Sequence, residues 1–191
     1  MRYSASHKAE IRQKLITAAG ALCKEQGFGI TGVDALMATV GLSGGAFYGH
    51  FKTKGDLLEA IIDNELTTTR DQFINVAAPG SKPDASTLIN RYLSRAHLDN
   101  PSAGCALPAL SNEVARADDK VKQAYETHLL EIHTTLTNAL PNPERAWAIL
   151  AMVVGAISLA RAVASPQLQQ TMLDSCIDMA MAEITADNIS H

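Results

Sequence analysis

Apolar positions recur at helical spacing along nearly the whole chain. Ile11, Leu15, Ala18, Ala19, Leu22 and Cys23 fall at i, i+4, i+7, i+8, i+11 and i+12, one stripe of an amphipathic helix over residues 8–26. Gly27 follows directly and supplies a left-handed cap, and Phe28 can fold back on the stripe. Val33, Leu36 and Met37 have the spacing of a buried face and predict a short helix over 33–39. Thr31 precedes it and Asp34 lies three residues further on, which resembles a capping box with Asp in the Glu/Gln place. Gly41 marks a tight bend, and Ser43 caps a third short helix over 44–51. Two short amphipathic helices joined by a glycine turn, buttressed by a longer first helix, describe a helix-turn-helix. In that unit the later helix enters the major groove of DNA.

The pattern continues beyond residue 56. Leu57, Leu58, Ile61, Ile62 and Leu66 extend a stripe toward Phe73 and Val76, and the run Pro79–Pro83 ends it. Leu88, Ile89, Tyr92, Leu93 and Ala96 predict one further helix, capped by Asp84 or Ser86 and closed by the break at 100–104. Helices follow over 105–116 and 118–140, and Pro141 and Pro143 separate them from a last pair. Residues 144–164 are apolar almost all round, so that helix must be covered on more than one side. Its small residues Ala148, Ala151, Gly155, Ser158 and Ala162 allow another helix to come close, and the final helix spans 167–186. The expectation is an all-α chain of about nine helices. Residues 1–56 form a three-helix helix-turn-helix DNA-binding domain, and residues 57–191 a larger ligand-binding and dimerisation domain.

Charge sharpens this division. The net charge of −4 hides an asymmetry: residues 1–56 hold seven Lys/Arg against four Asp/Glu, and residues 57–191 nine against sixteen. A basic head on an acidic body approaches phosphates while the body stays off the duplex. The low aromatic content, 5%, favours helices over strands. Cys23, Cys105 and Cys176 are odd in number and far apart, which argues against a zinc site or a disulfide framework. No metal and no cofactor are expected. The N-terminus has no apolar signal-peptide core, and the uncharged run between Arg145 and Arg161 is fifteen residues, short for a bilayer. The expected location is the cytoplasm, without a membrane partner. No nucleotide-binding loop, nucleophile elbow or recognisable carboxylate pair points to an enzyme.

The run ITAAGALCKEQGFGITGVDALMATVGLSGGAFYGHFKTKGDLLEAII resembles the N-terminal domain of the TetR family of repressors. The likeness covers roughly residues 12–62. It is carried by the paired alanines, the Gly-Phe after the first helix, the Val-Gly-Leu-Ser turn and the block from Phe47 to Leu58. The resemblance implies double-stranded operator DNA as partner, a homodimer paired through the last two helices, and a small-molecule effector of unknown identity. It also implies roles for matching positions. Thr31 touches a phosphate, Ser43 caps the recognition helix and meets the backbone, Tyr48 and His50 bond phosphates, and Lys54 approaches another. Gly44 departs from the family, whose members often carry Lys or Arg there. Gly44, Gly45 and Gly49 each cost helix stability, about 1 kcal/mol against Ala. Base reading then leans on backbone approach at Gly44, Gly45 and Gly49, on Ala46 or the region of Thr39, and on DNA shape.

The effector does not follow from the resemblance. Candidate pocket residues are Tyr92, His97, Cys105, Leu110, Glu113, His128 and Trp147. Cys105 has two readings. At the first turn of a helix its pKa would fall and it would sense oxidants or electrophiles; otherwise it is a small buried hydrophobe. The function expected is that of a repressor released from its operator by a small molecule or by thiol modification. A DNA-binding adaptor without a ligand, or an activator, stands as the alternative.

Overall fold

The computed structural model describes residues 5–74 and 84–185. Among them are nine α-helices, two short 3-10 helices and no strand. The first, α1 (Ala5–Gln26), buries Leu15, Ala19 and Cys23 of the stripe seen in the sequence, leaves Ile11, Ala18 and Leu22 half-buried, and also buries Ile16. It ends where the N–H of Gly27 reaches the Cys23 carbonyl, 2.9 Å, with Gly27 at φ +87. A side chain at that φ would be strained, so glycine closes the helix.

Helix α2 (Val33–Ala38) buries Leu36 and Met37. Its N-cap is Gly32, with no side-chain cap bond, so the anticipated capping box is absent. Thr31 turns back instead and its hydroxyl donates to the Gly27 carbonyl at 2.5 Å. The bend at Gly41 is as expected: its φ is +73, and the N–H of Leu42 reaches the Met37 carbonyl at 3.1 Å.

The third element is a 3-10 helix, Gly44–Gly49, rather than the α-helix expected over 44–51. Three of its six residues are glycines, which gain least from helical geometry. Phe47 anchors it in the core. Thr53 and Asp56 then form a reciprocal capping box at the start of α3 (Lys54–Ile74), with both bonds at 3.0 Å. Leu57, Leu58, Ile61, Ile62 and Leu66 of α3 are buried, so one helix carries the core from head into body. The expected Val76 and the break at 79–83 lie outside the described residues.

The single helix expected around 85–96 is two. Helix α4 (Ala85–Tyr92) is capped by Asp84, which accepts from the Thr87 N–H at 2.9 Å. Helix α5 (Arg95–Asp99) is capped by Ser94, which accepts from the His97 N–H at 3.2 Å. Ser94 thus stops one helix and starts another. A loop leads to α6 (Leu107–Ala115), and α7 (Asp119–Ala139) packs along α3.

A 3-10 turn, Pro143–Arg145, precedes α8 (Ala146–Arg161), and α9 (Pro166–Thr185) returns beside it. With that turn, Pro143–Arg161 counts 19 residues, long and apolar enough by length and composition to cross a membrane. Yet Ile149, Leu150, Val153, Ile157 and Ala160 face inward, and α8 touches α5, α6, α7 and α9. It is the central helix of the core.

Candidate nucleic-acid interface and cavity

The helix-turn-helix presents a face of small residues around one large ring. Tyr48 is 74% exposed. Its ring stands edge-on to Phe47 at 5.4 Å, and Phe47 stacks on Phe51 at 5.9 Å. A buried aromatic pair therefore holds an outward phenol in place. Ser43, Gly45 and Gly49 are exposed beside it, while Gly44 and Ala46 are half-buried. Ser43 occupies the N-cap position but makes no side-chain cap bond.

Gly44 has a local cause. A Cβ there would overlap the Asp34 carboxylate, which fills the space a side chain would take. The Asp34 pairing was not anticipated from sequence, because residues ten apart face each other only once the turn is formed.

His50 is half-buried, and its Nδ1 has no hydrogen-bond partner. Burial, then Lys8 and Arg12, push its pKa down. The Arg12 guanidinium lies 4.5 Å over the Phe51 ring. Lys8 and Arg12 thus bring α1's basic start to the recognition element. Neither belongs to the phosphate-contact positions that the resemblance implies; two basic residues one turn apart on α1 are their signal in the sequence.

Two expected phosphate contacts sit differently. Thr31 is buried and committed to the Gly27 carbonyl. Lys54 donates to the Phe28 and Gly29 carbonyls at 2.7 and 3.2 Å and covers the Phe28 ring at 4.5 Å. Both side chains brace the loop between α1 and α2. Ile30, in that loop, is 85% exposed.

In the body, a half-open cavity of about 250 Å³ lies between α3, α4, α5 and the loop after α5. Leu88, Tyr92, Ala96 and Cys105 give it an apolar lining; Arg91, His97 and Gln72 add polar groups. Of the seven sequence candidates, Tyr92, His97 and Cys105 meet here. The other four lie elsewhere. Leu110 is fully buried in the core. Glu113 accepts from the Gly29 N–H of the head at 3.2 Å. His128 bridges Asp63 and Glu131 at 3.1 and 3.3 Å, clasping α3 to α7. Trp147 is half-exposed and stacks on His133 at 4.0 Å.

His97 is fixed as a neutral tautomer by its neighbours. Its Nε2 accepts the Cys105 N–H at 3.1 Å, so Nδ1 carries the proton and donates to the Tyr92 carbonyl at 2.7 Å. Burial holds the imidazole pKa down, with Arg161 and Lys24 adding to the effect against the Tyr92 bond. Arg161 donates to the His97 and Leu98 carbonyls at 2.7 and 3.1 Å. Cys105 corrects the expectation of a lowered pKa. Its Sγ does accept the Leu107 N–H at the start of α6, 3.4 Å, but burial dominates and pushes the thiol up.

This geometry matches a family pattern. Residues 15–61 match the model for bacterial regulatory proteins of the tetR family. That stretch is similar to the tetR-family N-terminal domain. Solved TetR-like structures share the fold over nearly the whole length. The reduced form of E. coli NemR superposes with TM-score 0.74 at 19% identity, covering 91% of this chain and 97% of that one. A TetR regulator from Chloroflexus aurantiacus J-10-FL gives TM-score 0.74 at 22% identity, covering 94% and 96%. One from Cytophaga hutchinsonii gives 0.74 at 18%, covering 95% and 98%. No curated protein matches by sequence. The head thus matches a bacterial regulatory DNA-binding domain over residues 15–61, and the chain as a whole shares the fold of these regulators.

Proposed function

We propose that the protein is a homodimeric repressor that leaves its operator when a small molecule enters the cavity beside Tyr92, His97 and Cys105. Residues 1–56 bind DNA and residues 57–191 sense and dimerise. The observation that carries this reading is the pairing of two features in one molecule: an outward Tyr48 on a glycine-rich element, and a roomy cavity whose wall touches the head. A cavity of this kind favours a sensor over an adaptor with a filled core.

At the DNA, Tyr48, Ser43 and the edge of His50 meet phosphates, with Lys8 and Arg12 adding charge. Gly44, Gly45 and Gly49 let the backbone come close, with Ala46 at the base edges. Thr31 and Lys54 act by bracing the loop and reach phosphate only at its edge. The dimer forms through α8 and α9, whose outward Leu159, Leu168 and Met179 are exposed in the single chain. A DNA-binding dimer of this kind works in the cytoplasm.

The effector is small and mostly apolar, matching the lining. Arg91, the charged residue of that lining, favours a neutral or acidic end over a cationic one. Thiol modification of Cys105 is a second reading, favoured by its place in the cavity wall and opposed by its burial and raised pKa. Operator release by N-ethylmaleimide in the native protein, abolished in Cys105→Ser, would establish it.

The central test selects duplexes from a random DNA pool and measures affinity against salt. Expected is a two-fold symmetric site with log K falling linearly with log salt. Binding without sequence preference would sink the repressor reading.

A further inference from the structure

A buried cation ties the cavity wall directly to the DNA-binding head. Lys24 lies in the last turns of α1, and its side chain is only 4% exposed. Its Nζ donates to Glu65 Oε2 of α3 at 2.6 Å and to the Gly104 carbonyl at 2.9 Å. Gly104 lines the cavity and immediately precedes Cys105. One ammonium therefore joins the head's first helix, the long α3 and the sensing loop.

The surroundings leave these groups little slack. A Cβ at Gly20, one turn before Lys24, would stand 2.6 Å from Glu65 Oε1. The carboxylate reaches Lys24 only because position 20 has no side chain. A Cβ at Gly104 would stand 2.5 Å from His97 Cδ2 and 2.7 Å from its Nε2. The loop thus rests on the imidazole that faces the cavity, and the Cys105 N–H is bonded to that same ring. A displaced His97 displaces the Gly104 carbonyl. A buried ammonium cannot be left short of an acceptor cheaply, so Lys24 must follow or find another. A second strut leaves the same stretch of chain: Glu113 of α6 holds the Gly29 N–H, in the loop that leads into α2.

We propose that Lys24 is the positioning residue that carries cavity occupancy to the head, through its bond to the Gly104 carbonyl. A ligand that presses on His97 withdraws this acceptor, and the end of α1 and the loop into α2 shift together. The proposal rests on reading the cavity as the effector site. It adds the route by which occupancy changes DNA affinity, which requires an element with two arrangements biased by both sites.

The test needs no effector, because Gly104→Ala forces the loop off His97 by itself. It is made in the full chain and in a Lys24→Met/Glu65→Leu background, which removes the pair without stranding a buried charge. Two quantities are read: hydrogen exchange of α1 amides near residue 24, and affinity for the selected duplex. In the Lys24 protein, Gly104→Ala speeds α1 exchange and weakens DNA binding about tenfold or more. In the apolar-pair background the same change leaves α1 exchange unaltered and shifts affinity by less than about twofold. Equal effects in both backgrounds, or unaltered α1 exchange in the Lys24 protein, overturn the proposal. Should the apolar pair not give a cooperative melt, Lys24→Met/Glu65→Gln, which likewise leaves no donor at position 24, serves with the same criteria. The exchange readout requires no DNA, so a protein that selects no operator still tests the relay and the two failures remain distinct.

Discussion

Tyr48 and Arg12 would grip DNA by different physics, and single substitutions separate them. The Tyr48 phenol is neutral, so Tyr48→Phe removes one hydrogen bond to phosphate and no counterion. Operator affinity falls by about 1 kcal/mol with an unchanged salt slope in fluorescence anisotropy titrations. Arg12→Ala removes a charge, so the slope of log K against log salt becomes shallower by about 0.9. An unchanged slope would take Arg12 off the DNA. His97 makes a separate prediction about pH. Its pKa is lowered in the fold below the ordinary 6.5. The unfolded chain therefore binds the proton first as pH falls, and the stability His97 contributes is full above pH 6.5 and lost as pH drops through the lowered folded value. Urea melts between about pH 5 and 7.5 check this: wild-type stability declines on acidification more steeply than that of His97→Gln. Some residue roles were legible in sequence because they depend on local spacing. The left-handed Gly27 and Gly41 and the inward Phe47 are of this kind. Glu113 was not, because its partner Gly29 is 84 residues away and only the folded chain brings them together.

The recognition element is where local sequence and observed geometry part. An α-helix was the natural expectation after Ser43, and a 3-10 helix forms instead, since Gly44, Gly45 and Gly49 supply backbone freedom without side-chain packing. That softness has a measurable consequence. A Cβ at Gly49 would meet nothing within 4 Å, and one at Gly45 would only brush Ser43 Oγ at 4.0 Å. Neither glycine has positive φ. Gly45→Ala and Gly49→Ala should each therefore stabilise the protein by about 0.5–1 kcal/mol, seen as a raised Tm. If the backbone approaches DNA here, the same changes weaken operator binding although the fold is firmer. Tighter binding alongside the raised Tm would show that order, and not close approach, limits recognition. Elements whose ends carry their own side-chain caps were easier to read. Asp84 and Asp118 both cap the helices that follow them. Ser94 was the exception: the stripe from Leu88 to Ala96 reads through it, because hydrophobic spacing is blind to a cap that breaks a helix within one face.

At the scale of the molecule, the unpaired face of α8 and α9 bears on whether one chain can work alone. Gly155 lies mid-helix on α8, and an added Cβ there would meet nothing within 4 Å in the single chain. Nothing in the fold of one subunit requires this glycine, and a mid-helix glycine costs about 1 kcal/mol against Ala. A second subunit does account for it: small residues let helix axes approach, and Ala148, Ala151 and Ala162 are exposed near Gly155 on the same helix or just past its end. Gly155→Glu should thus leave the monomer's fold intact while burying a charge in any two-fold interface. Sedimentation equilibrium should report twice the chain's 20.4 kDa for wild type and a single chain for the variant, with helical circular dichroism unchanged. Operator affinity should then fall about 100-fold or more, because two reading heads joined in one dimer bind the second half-site intramolecularly and separated heads do not. A variant that stays dimeric would move the interface off α8 and leave the exposed Leu159 and Met179 to another partner. A variant that becomes monomeric yet binds the full site undiminished would mean that each head recognises DNA independently. In that case the spacing of two heads could not be what the effector controls.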